Sequence, residues 1–255
     1  MLQYSESGKG KPVVLVHAFP LSSKMWEGQV RQLSRFARVI TPEIPGLGGS
    51  PSQAEPSIAE TARQLARLLD RLEIREPVMI GGLSMGGYVT FEFLRQFPER
   101  VGALGLFATR ANADSHEIRD KRAKTIHKIR TEGLEAFIPA VIMNLLGETT
   151  RRTHPELQRQ VEALIRANSG EGVIDATRAM AARNDSQDLL PGITCPVLVI
   201  GGMEDTFVTA EETRAMQSRI SGSVLHLVEG SGHLVNLEAP GVFNSALEAF
   251  LKHLP

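Results

Sequence analysis

Six short aliphatic runs, at residues 13–16, 38–41, 78–81, 103–108, 197–200 and 224–228, are separated by longer stretches whose apolar residues recur at helical spacing. Runs this short and continuously apolar suit strands buried on both faces. Strands alternating with helices suit one mostly parallel sheet covered by helices. Between the second and third runs, Ile58, Ala62, Leu65, Leu69 and Leu72 form one helical stripe, opened by Ser57 and Glu60 in capping-box spacing. Its opposite face carries Arg63, Arg67 and Arg71, which reads as a solvated face. Thr209 and Glu212 repeat the capping box after the fifth run, and Phe243, Leu247, Phe250, Leu251 and Leu254 mark a closing amphipathic helix.

The rhythm breaks at residues 112–188, where helical patterns follow one another with no strand between them. Residues 1–111 and 189–255 therefore read as one α/β core, and 112–188 as a helical cap, or lid, inserted after the fourth clear strand. Within it Leu134, Phe137, Ile138, Val141, Ile142, Leu145 and Leu146 surround much of one helix, which predicts two buried sides, one toward the body and one toward a substrate cavity. Pro155 suits the first turn of another helix, with Leu157, Val161, Leu164 and Ile165 on its stripe. The local basic cluster Arg119, Lys121, Arg122, Lys124, Lys128 and Arg130 sits in an insertion with as many acidic as basic residues, and reads as solvated surface.

Composition narrows the function classes. With 28 Lys and Arg against 29 Asp and Glu in 255 residues, the formal net charge of −1 offers no global attraction for nucleic acid. A 42% hydrophobic content predicts a sizeable packed core. The single cysteine, Cys195, can form neither an internal disulfide nor a cysteine-rich zinc site and is expected to be a buried structural thiol. Early residues hold no signal-length apolar run, and no later stretch reaches the length a membrane helix needs. The expectation is a soluble cytoplasmic protein with no nucleic-acid or membrane partner; oligomeric state is not legible.

Chemistry enters directly after the third strand, where Gly82-Leu83-Ser84-Met85-Gly86 precedes an apolar helical run. This is the nucleophile-elbow pattern: a sharp strand-to-helix turn holds the serine, and the flanking positions must be small because the chain folds back on itself. The pentapeptide alone is a weak signal; its strand-before, helix-after setting strengthens it. Neither a dinucleotide fingerprint nor a P-loop fits these residues. A serine hydroxyl needs a base, and the base needs an acid to fix its tautomer. Asp205 follows the fifth strand and His233 the sixth, so the order Ser, Asp, His places all three at the carboxyl end of one sheet. Glu204 is the substitute acid. The backbone amides of Met85 and Phe19 are the candidate oxyanion donors, and His17 reads as an orienting hydrogen-bond partner. Leu21, Trp26, Arg110, Met143, Phe207 and Leu234 flank the inferred site and are pocket candidates, the apolar ones equally readable as core. Arg110 would either meet a substrate carboxylate or fix the lid through Asp114 or Asp185.

Over essentially its whole length the chain resembles the α/β-hydrolase superfamily, specifically the capped bacterial esterases and lactonases that include 3-oxoadipate enol-lactonases and cofactor-free haloperoxidases. The resembling stretches are 17–26 (HAFPLSSKMW), 43–50 (EIPGLGGS), 82–88 (GLSMGGY) and 232–240 (GHLVNLEAP). Two positions depart from the family. Ala18 stands where a glycine is usual, at a cost of about 1 kcal/mol if φ is positive there, and Glu43 stands where Asp is common. Ser84 also separates the chain from the dehalogenases, whose nucleophile is Asp. The resemblance implies two-step acyl transfer with no metal or organic cofactor. A small-ester carboxylesterase is the first reading. Enol-lactone hydrolysis of the 3-oxoadipate type and perhydrolysis use the same residues, and a catalytically silent ligand-binding member is the alternative of a different class.

Overall fold

The structure is a computed structural model that describes residues 2–254. In chain order its elements are β1 (Tyr4–Ser7), β2 (Lys11–Val16), α1 (Glu27–Leu33), β3 (Ala37–Pro42), α2 (Ile58–Arg71), β4 (Val78–Leu83), α3 (Met85–Gln96) and β5 (Val101–Phe107). Five helices follow: α4 (His116–Glu132), α5 (Leu134–Leu145), α6 (Glu148–Thr153), α7 (Pro155–Arg166) and α8 (Gly170–Ala181). The chain then returns through β6 (Val197–Gly202), α9 (Ala210–Gln217), β7 (Val224–Val228), α10 (Val235–Glu238) and α11 (Pro240–Lys252).

The seven strands form one sheet in the order β1-β3-β2-β4-β5-β6-β7, parallel throughout except for β1, which pairs antiparallel with β3. Each of the six aliphatic runs coincides with a strand, the run at 103–108 passing one residue beyond β5. β1 carries no apolar run: its sequence is Tyr-Ser-Glu-Ser, it is mostly exposed, and it lies at the sheet edge, held by its register of Tyr4 to Pro42 through Ser7 to Val39. Residues at the centre are chosen for space. Gly81 and Gly105 face the ring of Phe107, and a Cβ on either would lie 2.8 and 2.4 Å from it, so a full aromatic ring fills the room two missing side chains leave. Phe107 in turn packs edge-on against Phe243 of α11, 4.9 Å between centroids, and against Trp26 at 6.2 Å.

Helix starts follow local chemistry. Ser57 accepts the Glu60 amide, but the Glu60 carboxylate turns outward to Arg63 and Arg67, so only half of that capping box forms. At α9 both halves are made, Glu212 N to Thr209 Oγ1 at 3.2 Å and Thr209 N to Glu212 Oε2 at 2.9 Å.

The stretch between β5 and β6 is tied at its two ends. Arg183 donates to Asp114 Oδ1 at 2.5 Å and to the Asn112 carbonyl at 2.6 Å, and its guanidinium stacks 3.9 Å over the Tyr88 ring. Burial pushes the Asp114 carboxyl up, and Arg122 and Arg183 together more than reverse this, holding it below the ordinary carboxylate range. Helix α5 differs from expectation. Phe137, Ile138, Val141, Ile142 and Leu145 form one buried face, while Pro139, Ala140, Met143 and Asn144 are exposed, so the helix has one buried side rather than two. Its apolar excess is in the residues pointing outward, which periodicity does not separate from a second contact. Among the described residues no helix is long and apolar enough to cross a membrane.

Candidate active site

β4 runs straight into α3 through Ser84, whose φ of 55° and ψ of −111° place it outside the regions an L-residue prefers. The surrounding backbone holds it there. The Ser84 amide donates to the Phe107 carbonyl at 2.9 Å, and its carbonyl accepts from the Gly87 amide at 2.9 Å and the Thr109 hydroxyl at 2.8 Å. The glycines are steric requirements: a Cβ on Gly82 would lie 2.1 Å from the Gly86 carbonyl carbon, and one on Gly86 would lie 2.2 Å from the Val16 carbonyl oxygen. Ser84 itself remains partly exposed.

Asp205 and His233 come from the loops after β6 and β7 and meet in the interior. His233 Nδ1 lies 2.7 Å from Asp205 Oδ2. The second carboxylate oxygen, Oδ1, accepts the amides of Phe207 at 2.8 Å and Val208 at 3.0 Å, which fixes the rotation of the carboxylate. The Phe207 ring stands edge-on to the imidazole, 5.0 Å between centroids. Glu204 points elsewhere: its carboxylate takes the Thr149 hydroxyl at 2.5 Å and the Thr149 amide at 2.8 Å, and these donors hold it below the usual carboxylate range.

The loop after β2 supplies Phe19. Its neighbour Ala18 is fully buried and is not among the non-glycine residues with positive φ, so the Cβ that replaces a glycine hydrogen carries no left-handed strain. His17 accepts the Ile44 amide on Nε2 at 2.9 Å, and its Nδ1 lies 2.9 Å from the Ala18 carbonyl, an arrangement that holds the loop after β2 against the one after β3. Burial lowers the His17 pKa, with Glu43 and the Ala18 carbonyl opposing. The longer Glu43 side chain reaches the Ser23 amide at 2.9 Å and the Ser23 hydroxyl at 2.5 Å.

The pocket candidates divide. Phe207 is 39% exposed beside His233, and Met143 is 53% exposed on α5, whose next residue, Asn144, meets the Thr206 hydroxyl. The Phe19 ring lies 6.2 Å from that of Phe137, so α5 packs over the loop after β2. Trp26 is a correction: it is fully buried between Phe107 and Phe243, because the turn at Ser23–Trp26 folds its indole into the sheet core. Leu21 and Leu234 are likewise fully buried. Arg110 pairs with neither Asp114 nor Asp185 but with Glu212 of α9 at 3.3 Å, since Asp114 is taken by Arg122 and Arg183 and Asp185 by the backbone of Ala113 and Gln187. Cys195 is half-buried rather than buried, its pKa raised by that burial.

Sequence reasoning missed Glu238. Its carboxylate accepts the amides of Gly232 at 3.0 Å and Leu234 at 3.0 Å, on either side of His233, and the Gly147 amide at 2.8 Å. Burial raises its carboxyl above the ordinary range although these donors oppose the shift. Its place five residues after His233, inside the family-like stretch 232–240, is the signal that could have pointed to it.

Comparisons with known proteins agree on the frame. The family model for the α/β hydrolase fold matches residues 11–240. The chain is 27% identical to 3-oxoadipate enol-lactonase 2 of Acinetobacter baylyi, over 98% of this chain and 93% of that protein. A thermophilic esterase from Thermogutta terrifontis, solved with malate bound, superposes with a TM-score of 0.96 at 37% identity, covering 99% of this chain and 93% of the other. The enol-lactonase from Burkholderia xenovorans superposes at 0.90 with 27% identity, covering 99% and 96%. These relatives support an enzyme of the hydrolase class. On the family match, the parallel sheet and the serine turn that joins β4 to α3, the chain belongs to the α/β-hydrolase fold family.

Proposed function

We propose that this protein is a serine hydrolase of small carboxylic esters, with Ser84 as nucleophile, His233 as general base and acid, and Asp205 as the acid that orients it. The observation that carries this reading is the buried contact of His233 Nδ1 with Asp205 Oδ2 at 2.7 Å, in a chain whose β4–α3 turn holds a serine at a positive φ of 55°. An imidazole whose Nδ1–H is given to a carboxylate has its Nε2 lone pair free to take the serine proton. Ser84 Oγ attacks the ester carbonyl, and the Met85 and Phe19 amides receive the oxyanion. Collapse of the tetrahedral intermediate expels the alcohol, which takes the proton from His233. Water, deprotonated by the same histidine, then releases the acid. Residues 112–188 act as the cap over this site, with α5 above Phe19.

The test is covalent labelling. A fluorophosphonate probe is expected to modify Ser84 of the wild-type protein, to leave Ser84→Ala unmodified and to react far more slowly with His233→Ala. An unlabelled wild-type protein, or a labelled Ser84→Ala, overturns the assignment.

A neutral ester is favoured over a dicarboxylate lactone because Arg110, which follows β5 in the chain, is engaged by Glu212. Arg110→Ala is therefore expected to change kcat/KM for acidic and neutral esters alike, within about twofold of each other, since a guanidinium already paired with Glu212 is not free to discriminate between them. A selective loss of the acidic substrate would instead assign Arg110 to substrate recognition.

A further inference from the structure

Four donors from two separated stretches of chain converge on one buried carboxylate next to the base. Glu238 Oε2 accepts the Gly147 and Gly232 amides, Oε1 accepts the Leu234 amide, and the Thr150 hydroxyl donates to the same group. None of these partners is a cation. A carboxylate removed from water without a counter-charge is costly, and here hydrogen bonds alone oppose that cost and offset it only in part, which requires the donors to stay in place. Two of them bracket His233; the other two belong to the start of α6 in the 112–188 insertion. Close backbone packing surrounds the joint. A Cβ on Gly232 would lie 2.2 Å from the Gly147 nitrogen, and the Leu234 amide also reaches the Leu145 carbonyl at 3.1 Å. A second carboxylate, Glu204, one residue before Asp205, clasps Thr149 of the same turn through its amide and hydroxyl. The beginning of α6 is thus bound to the loop of the acid and the loop of the base at once.

We infer that Glu238 is a positioning residue for His233, fixing the backbone on both sides of the base and making its placement depend on the start of α6. The inference rests on the serine-hydrolase reading. Asp205 and Phe207 set the imidazole from its side-chain end; Glu238 sets it from the main chain. Without that anchor the imidazole keeps its partner but loses its aim at Ser84, which slows proton transfer more than it weakens substrate binding.

The test is Glu238→Gln, which keeps the volume but turns an amide NH₂ toward a backbone N–H. Its kcat on p-nitrophenyl esters is expected to fall about 10- to 100-fold, the scale of a small misplacement of a reacting group, with KM within about threefold. The His233 Nδ1 proton resonance should move in the NMR spectrum of the folded variant, and Glu238→Ala should lose more. A folded Glu238→Gln protein with kcat within about twofold of wild type and an unmoved resonance overturns the inference. Should Glu238→Gln fail to fold, Thr150→Val removes only the insertion's hydroxyl donor; a moved resonance with about threefold lower kcat supports the coupling, and no change in either overturns it. Fluorophosphonate labelling of the wild-type protein separates the two levels. If Ser84 is unlabelled, the hydrolase reading falls; if it is labelled and the enzyme is indifferent to Glu238→Gln, only the positioning role falls.

Discussion

Replacing Ser84 with alanine is expected to lower kcat on p-nitrophenyl esters by about 10⁴-fold or more, because loss of a catalytic serine removes the covalent route altogether. On the proposed mechanism, what remains is the binding of substrate beside the two proposed oxyanion amides, which act on an attacking water no longer helped by an acyl-enzyme. The fold should not pay for this change. Residue 84 is held by its main chain, through Phe107, Gly87 and Thr109, and none of these bonds uses its hydroxyl. The melting temperature should therefore stay within about 3 °C of wild type, the shift that ~1 kcal/mol produces in a chain of this size. Thermal unfolding and ester turnover measured on the same preparation check both halves. Full activity in a well-folded Ser84→Ala would assign the chemistry to another residue.

The features legible in the sequence are those with a local cause. Aliphatic runs of four to six residues mark six strands, five of them because a strand buried on both faces tolerates little else, whereas the sixth, β7, is apolar although it lies at a partly exposed sheet edge. The serine turn is legible because its geometry demands glycine at 82 and 86, where any Cβ would strike backbone. β1 escaped because an edge strand is held by main-chain bonds to β3 and has no need of an apolar sequence. The pocket was the least legible part. Trp26 and Met143 are both apolar and both close in sequence to elements near the site, yet one is locked between Phe107 and Phe243 and the other points outward. Which way a side chain faces depends on the angle at which its helix or turn docks, and no spacing rule carries that. Glu238 was hidden for a related reason: its partners are backbone amides, 6 and 91 residues away in the case of Gly232 and Gly147, and amides leave no mark in a sequence.

Asp205→Asn is expected to cost about 10⁴-fold in kcat near neutral pH while leaving the fold intact, because the structure dictates which way the new amide must turn. Oδ1 of Asp205 already accepts two backbone N–H groups, from Phe207 and Val208, and Oδ2 faces His233. An asparagine keeps its carbonyl oxygen on those two donors, since the opposite orientation would set its NH₂ against both of them in a buried site. Its NH₂ then faces His233 Nδ1, which must accept instead of donate. The neutral imidazole is forced to carry its proton on Nε2, the atom that has to take the proton of Ser84, and the base is disabled by a change of tautomer rather than of position. Substrate binding does not use this bond, so KM should change far less than kcat. The same substitution at position 204 provides the contrast. Glu204→Gln alters a carboxylate that serves Thr149 and not the imidazole, and is expected to act on the docking of α6, with a loss well short of that at Asp205. Steady-state kinetics on the two variants side by side distinguish the acid that orients the base from its neighbour, and a larger loss at Glu204 would reverse their roles.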